Sequence, residues 1–172
     1  MLFQTSRLIV RPLTEADHPA FHEMQSNPNV MRHVSGAPQN EAESWLDLLH
    51  LIQCYSQEGN LLWVWAIERK SDAAFVGTCA IADEDHNIGY RLLEKYWGNG
   101  YGQEVTDALI EFALNDFGLP SITAYVDVEN LPSVKILERS SMQFVKEFYN
   151  EKEGCVDRVY QRMSPDSNQE RE

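Results

Sequence analysis

The spacing of apolar positions alternates between two periods along the chain. Ser6–Leu13 (SRLIVRPL) is a short β-type run that Pro12 halts. Thr14 then has the form of a helix N-cap, with Glu15 and Asp17 in the first turn, and Ala20, Phe21 and Met24 predict an apolar helix face ending before Pro28. Asn27-Pro28-Asn29 is turn chemistry. Asn40 and Glu43 form a capping pair. Behind them Trp45, Leu48, Leu49 and Ile52 fall at i, i+3, i+4 and i+7, an amphipathic helix whose C-terminal cap Gly59 would suit. Leu61–Glu68 and Ala73–Ala82 read as paired strands across a polar turn, and Asn87–Leu93 as a third. Val105, Ala108, Leu109, Phe112 and Ala113 return to helical spacing, stopped by Gly118 and Pro120. Ser121–Val128 is a strand, and Asn130 caps a short helix with Pro132 in its first turn, where a missing N–H costs nothing. Met142–Tyr149 and Gly154–Met163 finish as two strands around an acidic turn.

This order predicts an α/β (α+β) fold with one mixed sheet of about seven strands and about four helices on its faces. Three strands in succession favour antiparallel pairing. The unit strand–glycine loop–helix–strand is long enough for a right-handed crossover between parallel strands. Residues 1–163 form a single domain, without internal repeat or linker, and the polar tail 164–172 (SPDSNQERE) is expected to be disordered.

Charge narrows the partners. The 172 residues carry 27 acidic and 14 basic side chains, a formal net charge of −13, which argues against a nucleic acid held by phosphate contacts and is compatible with a cationic amine. Cys54, Cys79 and Cys155 are odd in number and far apart, as in a reduced intracellular protein. No apolar run approaches a membrane span and the N-terminus lacks a leader pattern, so the expected location is cytoplasmic, with no membrane partner. His18 and His22 lie four apart, but Pro19 stands between them and no Cys or third His is near, so no metal site is expected.

The stretch Lys95–Glu104, KYWGNGYGQE, is the main chemical signal. Its glycines sit between a strand and the first turn of a helix, where N–H groups lack internal partners and the helix dipole favours anions. Two readings stay open: a tight turn, or a loop whose bare backbone meets phosphate oxygens. The dinucleotide fingerprint fails at Gln103, and the Gly-Lys-Ser/Thr of a P-loop is absent.

The segment NIGYRLLEKYWGNGYGQEVTDALIEFAL, followed by VDVENLPSVKILERSSMQFV, resembles the GNAT superfamily of acetyl-CoA-dependent N-acetyltransferases, most closely the RimJ/RimL-like branch. The opening TSRLIVRPLTEAD is similar to that branch too, and the likeness covers nearly the whole chain up to the tail. Where many members have Gln or Arg at the head of the loop, this chain has Trp97, as the branch commonly does. The resemblance implies the GNAT fold, with two parallel strands splayed apart at the acetyl-CoA site. It implies that Trp97 heads the cofactor-binding loop and that the main-chain N–H groups of Gly98, Asn99, Gly100, Tyr101, Gly102 and Gln103 hold the pyrophosphate. Backbone groups of Leu92 and Leu93 would pair with the pantetheine arm, and Asn130 would hold it. Ser133 is a candidate proton donor at the sulfur, against the alternative of a helix hydroxyl with no catalytic part. For the base, Glu84 is favoured over Asp85 and His86 on reach alone, against the alternative of a solvated acidic turn. Glu104 is taken as structural. The implied activity is transfer of acetyl from acetyl-CoA to a primary amine, either a small molecule or a protein N-terminus. The other class left open is a non-catalytic acyl-CoA-binding sensor. Related enzymes often pair, so a homodimer is compatible with the resemblance.

Overall fold

A computed structural model describes residues 1–34 and 36–165. Eight strands form one sheet: β1 (Phe3–Gln4), β2 (Leu8–Pro12), β3 (Leu62–Arg69), β4 (Ala74–Ala82), β5 (Asn87–Leu92), β6 (Ser121–Asp127), β7 (Gln143–Asn150) and β8 (Cys155–Met163). Their order is β1-β2-β3-β4-β5-β6-β8-β7, and every neighbouring pair is antiparallel except β5 and β6. The helices are α1 (His18–Gln25), α2 (Pro28–Met31), α3 (Glu41–Cys54), α4 (Tyr101–Glu111) and α5 (Leu131–Arg139). The additions to the sequence reading are β1, two residues and too short to show a period, and α2, a single turn that Asn27 caps by accepting the Asn29 N–H at 2.9 Å.

Helices cover both faces of the sheet. One face packs Trp65, Val76, Cys79, Ile88 and Leu92 with Val105, Leu109 and Ile110 of α4. The other packs Ala66, Phe75 and Leu93 with Phe21 and Met24 of α1 and Leu48 and Leu51 of α3. Strand alternation sends Ile88, Tyr90 and Leu92 to the α4 face and leaves Gly89 and Arg91 on the α1 face. Helix α3 departs from the expected stripe. Its buried residues are Ser44, Leu48, Leu51 and Cys54, whereas Trp45, Leu49 and Ile52 are only partly covered. The face toward α1 includes the hydroxyl of Ser44, which lies 2.9 Å from His22 Nδ1 and also bonds the Glu41 carbonyl of its own helix at 3.0 Å. Gly59 does not cap it. Tyr55 does, and Gly59, at φ +72°, serves the later turn into β3. His18 and His22 both converge on Ser44 Oγ, at 3.3 and 2.9 Å. No described helix is long and apolar enough to cross a membrane. Of the tail, Ser164 N–H donates to the Pro120 carbonyl at 2.8 Å, and 166–172 lie outside the described residues.

Candidate active site

Strands β5 and β6 share a single register pair, Asn87 with Thr123, where Thr123 N–H donates to the His86 carbonyl at 3.2 Å. Beyond it they diverge, and the gap opens into a cleft of about 1140 Å³. Thr106, Ser133 and Leu137 line it on the α4 face, and Gln25, Asp47 and Arg91 on the α1 face.

The glycine loop follows the end of β5, and its Gly102 lies against the ring of Tyr90, which lines the cleft. Gly98 and Gly100 hold φ of +73° and +78°, the left-handed region that L side chains resist. Gly100 is the N-cap of the 11-residue α4. Among the described residues no acceptor meets the N–H groups of Gly98, Asn99, Gly100, Tyr101, Gly102 or Gln103; the first α4 donor with a partner is Glu104, bonded to the Gly100 carbonyl at 3.2 Å. Six neighbouring donors at the positive end of a helix make a cradle for an anion. Trp97 shapes the entry to the loop, since its Nε1 donates to the Leu92 carbonyl at 3.0 Å. Asn99 Nδ2 donates to the Tyr96 and Trp97 carbonyls, both at 3.0 Å. Gly102 packs closely: a Cβ there would lie 2.9 Å from Ile136 Cδ1 and 3.2 Å from the Tyr90 ring, so those side chains would have to shift.

Sequence spacing did not reveal what holds the loop from behind. Glu104 Oε1 accepts from Thr5 Oγ1 at 2.5 Å, Arg7 N–H at 2.9 Å and Ser6 Oγ at 3.1 Å. Its Oε2 accepts from Arg7 Nε at 2.7 Å and lies 2.6 Å from Arg7 Nη2. Burial opposes the charge of Glu104, but these bonds outweigh it and hold its pKa below the usual carboxylate range. Arg7 continues to the loop itself, donating from Nη1 to the Asn99 carbonyl at 3.0 Å and lying over the Tyr101 ring at 4.6 Å. The structural role expected of Glu104 is therefore specific: it ties the chain's opening turn to the glycine loop.

The remaining site residues divide. Leu93 has no backbone group to offer, since its N–H donates to Val76 at 3.0 Å and its carbonyl accepts from Tyr96 at 2.9 Å. The carbonyl of Leu92 is held by Trp97. Alternation turns the N–H groups of Tyr90 and Leu92 to the gap. Asn130 caps α5, its Oδ1 accepting the Ser133 N–H at 3.4 Å. Ser133 Oγ lies 3.1 Å from the hydroxyl of Tyr90, which lines the same cleft. Burial raises the Tyr90 pKa, and the bond to Ser133 opposes that rise. Glu84 is exposed on the β4–β5 turn, and the cleft is lined instead by its neighbours Asp83 and Asp85. Asp85 Oδ2 accepts from the Tyr125 hydroxyl at 2.6 Å, and His86 Nδ1 is 2.9 Å from the Ser121 carbonyl. The ionisable pair that faces the cleft is His33 Nδ1 with Asp127 Oδ2, at 2.9 Å. Ninety-four residues separate the two, which is why sequence spacing could not join them.

Residues 7–143 match the family described as the acetyltransferase (GNAT) domain. The uncharacterized N-acetyltransferase p20 of Bacillus licheniformis is 30% identical over 148 residues, 83% of this chain and 82% of that protein. A GNAT-family acetyltransferase of Bacillus anthracis superposes with a TM-score of 0.81 at 21% identity, covering 94% of this chain and 97% of that one. RimL, the ribosomal L7/L12 α-N-protein acetyltransferase, solved in complex with coenzyme A, superposes with the same score of 0.81 at 15% identity, covering 94% and 97%. The family assignment accounts for the splayed strands, the left-handed glycines and the row of free donors at the head of α4: the chain belongs to the GNAT acetyltransferases.

Proposed function

We propose that this protein moves acetyl from acetyl-CoA to a primary amine by direct attack in a ternary complex, as a RimJ/RimL-like enzyme. The observation that carries the reading is the row of six N–H groups from Gly98 to Gln103 without an acceptor among the described residues, on the loop that joins the parting strand β5 to α4. A pyrophosphate suits that cradle, and the chain's net charge of −13 leaves local donors as the means of holding a polyanion. Asn130 Nδ2 and the gap-facing N–H groups of Tyr90 and Leu92 would hold the arm. The coenzyme supplies an activated acyl group and a thiolate leaving group. Ser133, supported by Tyr90 through their 3.1 Å contact, would deliver a proton at the sulfur. On the opposite face, Asp127 engages His33 Nδ1, which leaves Nε2 as the basic nitrogen for the incoming ammonium; this pair replaces Glu84 as the proposed base. The acceptor is a small amine or a protein N-terminus.

Calorimetry with acetyl-CoA, followed by thiol detection across amines and peptides, tests the reading. The expected outcome is tight binding, acceptor-dependent release of CoA thiol, and at least a tenfold loss of affinity in a folded Gly100→Val variant. Unchanged affinity in that variant would remove the cradle, and binding without thiol release for any acceptor would make the protein a sensor.

A further inference from the structure

The α1 face of the cleft holds a cation without a counter-charge. Arg91 points from β5 toward α1, where its Nη1 donates to Gln25 Oε1. Gln25, only 4% exposed, turns its Nε2 to Asp47 Oδ2 at 2.9 Å. A neutral amide therefore stands between the guanidinium and the nearest carboxylate on its chain of bonds. Arg7, Arg11, Arg69, Arg158 and Arg162 each meet a carboxylate directly, whereas Arg91 has no ion pair among the described residues. Among the described residues its Nε and Nη2 have no partner, yet they are not among the buried polar atoms sealed from solvent, and Arg91 lines the cleft.

A guanidinium drawn out of water is destabilised unless an anion completes it. Burial indeed pulls the Arg91 pKa down, with Asp47 opposing from a distance. Here the fork of Nε and Nη2, the edge that takes a carboxylate in two parallel bonds, is left free. The floor beside it is cleared as well. A Cβ on Gly89 would touch nothing within 4 Å, and its cross-strand partner is Ala80. Across the gap, on the same face, stands the acidic side of the His33–Asp127 pair.

We infer that Arg91 is the carboxylate receptor of the acceptor pocket, so that the amine acetylated here belongs to a free amino acid or a similar small carboxylate-bearing amine. This rests on the acetyl-transfer reading above and names its substrate class.

The test uses twins that differ by one carboxylate, alanine with ethylamine and phenylalanine with phenethylamine, beside spermidine and a tripeptide. Turnover is followed by thiol release, and binding to the CoA-loaded protein by calorimetry. The wild type is expected to favour the carboxylate twin at least tenfold in kcat/KM, and that twin alone should give binding heat. Arg91→Met should raise its KM about 30-fold or more, change the decarboxylated twin less than threefold, and leave CoA affinity intact. Arg91→Lys, which keeps the charge but not the fork, should fall between and serves if Arg91→Met does not fold. Equal or better use of the decarboxylated twins, of spermidine or of the peptide overturns the inference. So does an equal loss for both twins, altered CoA affinity, or the absence of any carboxylate ligand. In those cases acetylation of some other amine keeps the general reading, whereas failure to bind acetyl-CoA ends that reading separately.

Discussion

Replacing Glu104 with Ala removes the bonds between the opening turn and α4 at one stroke. The carboxylate accepts from Thr5, Ser6 and the Arg7 backbone, and pairs with the Arg7 guanidinium. A hydrogen bond to a charged group contributes about 1.5–3 kcal/mol, but the freed donors lie near the surface and are rehydrated. The net cost should be about 2–3 kcal/mol, and Glu104→Gln, which keeps the shape and one acceptor, should lose roughly half as much. In a domain of this size that is a fall of about 5–10 °C in Tm. Because Arg7 also holds the Asn99 carbonyl, CoA affinity should drop as well, by about three- to tenfold. The pH dependence has a definite sign. The folded pKa of Glu104 lies below its unfolded value, so its contribution is complete above about pH 4.3 and is lost as pH falls through the folded pKa. Urea unfolding of wild type and Glu104→Ala between pH 7 and pH 2.5 should show two curves that converge at the acid end. A gap below 0.5 kcal/mol at pH 7, or one that stays constant with pH, would refute the clamp.

Ser133→Ala should lower kcat about 100-fold and Tyr90→Phe about fivefold, both with unchanged CoA affinity by calorimetry; no change in rate removes the pair from proton delivery. Gly77→Ala places a Cβ 2.1 Å from the Arg91 carbonyl in the neighbouring strand, so it should cost more than 3 kcal/mol in urea unfolding; a mild effect would mean that β4 and β5 can part there. Tyr55→Phe leaves the Leu13 N–H and the Val64 carbonyl without their shared hydroxyl, and thermal melting should report a loss of about 1–3 kcal/mol.

Local chemistry was the legible part of the sequence. The Asn40–Glu43 capping box, the Asn130 cap and the helix behind the glycines stand where spacing predicts them, because each depends on residues within four positions. The face of α3 differs from the expected one because hydrophobicity alone favours Trp45 and Leu49, while a small polar residue, Ser44, is buried against His22 of α1. Long-range pairings were invisible. Glu104 meets Arg7 across 97 positions, and Arg91 meets Gln25 across 66. Side-chain length favours Glu84, but reach is also set by the turn: with a left-handed backbone at Asp83 and His86, Glu84 is exposed and its neighbours Asp83 and Asp85 line the cleft.

The solitary bridge between Asn87 and Thr123 gives this sheet a seam as well as two outer margins. Unfilled N–H and C=O groups along such a margin normally invite another chain, and proteins blunt them with charge or short length. This seam is screened instead: α4 and α5 roof it on one side, and α1 and α3 on the other. Only a slim, extended guest can slide between the two half-sheets, and a guest lying there would act as their missing ninth ribbon. Filling the seam should therefore slow hydrogen exchange on both halves together, making one plate of two.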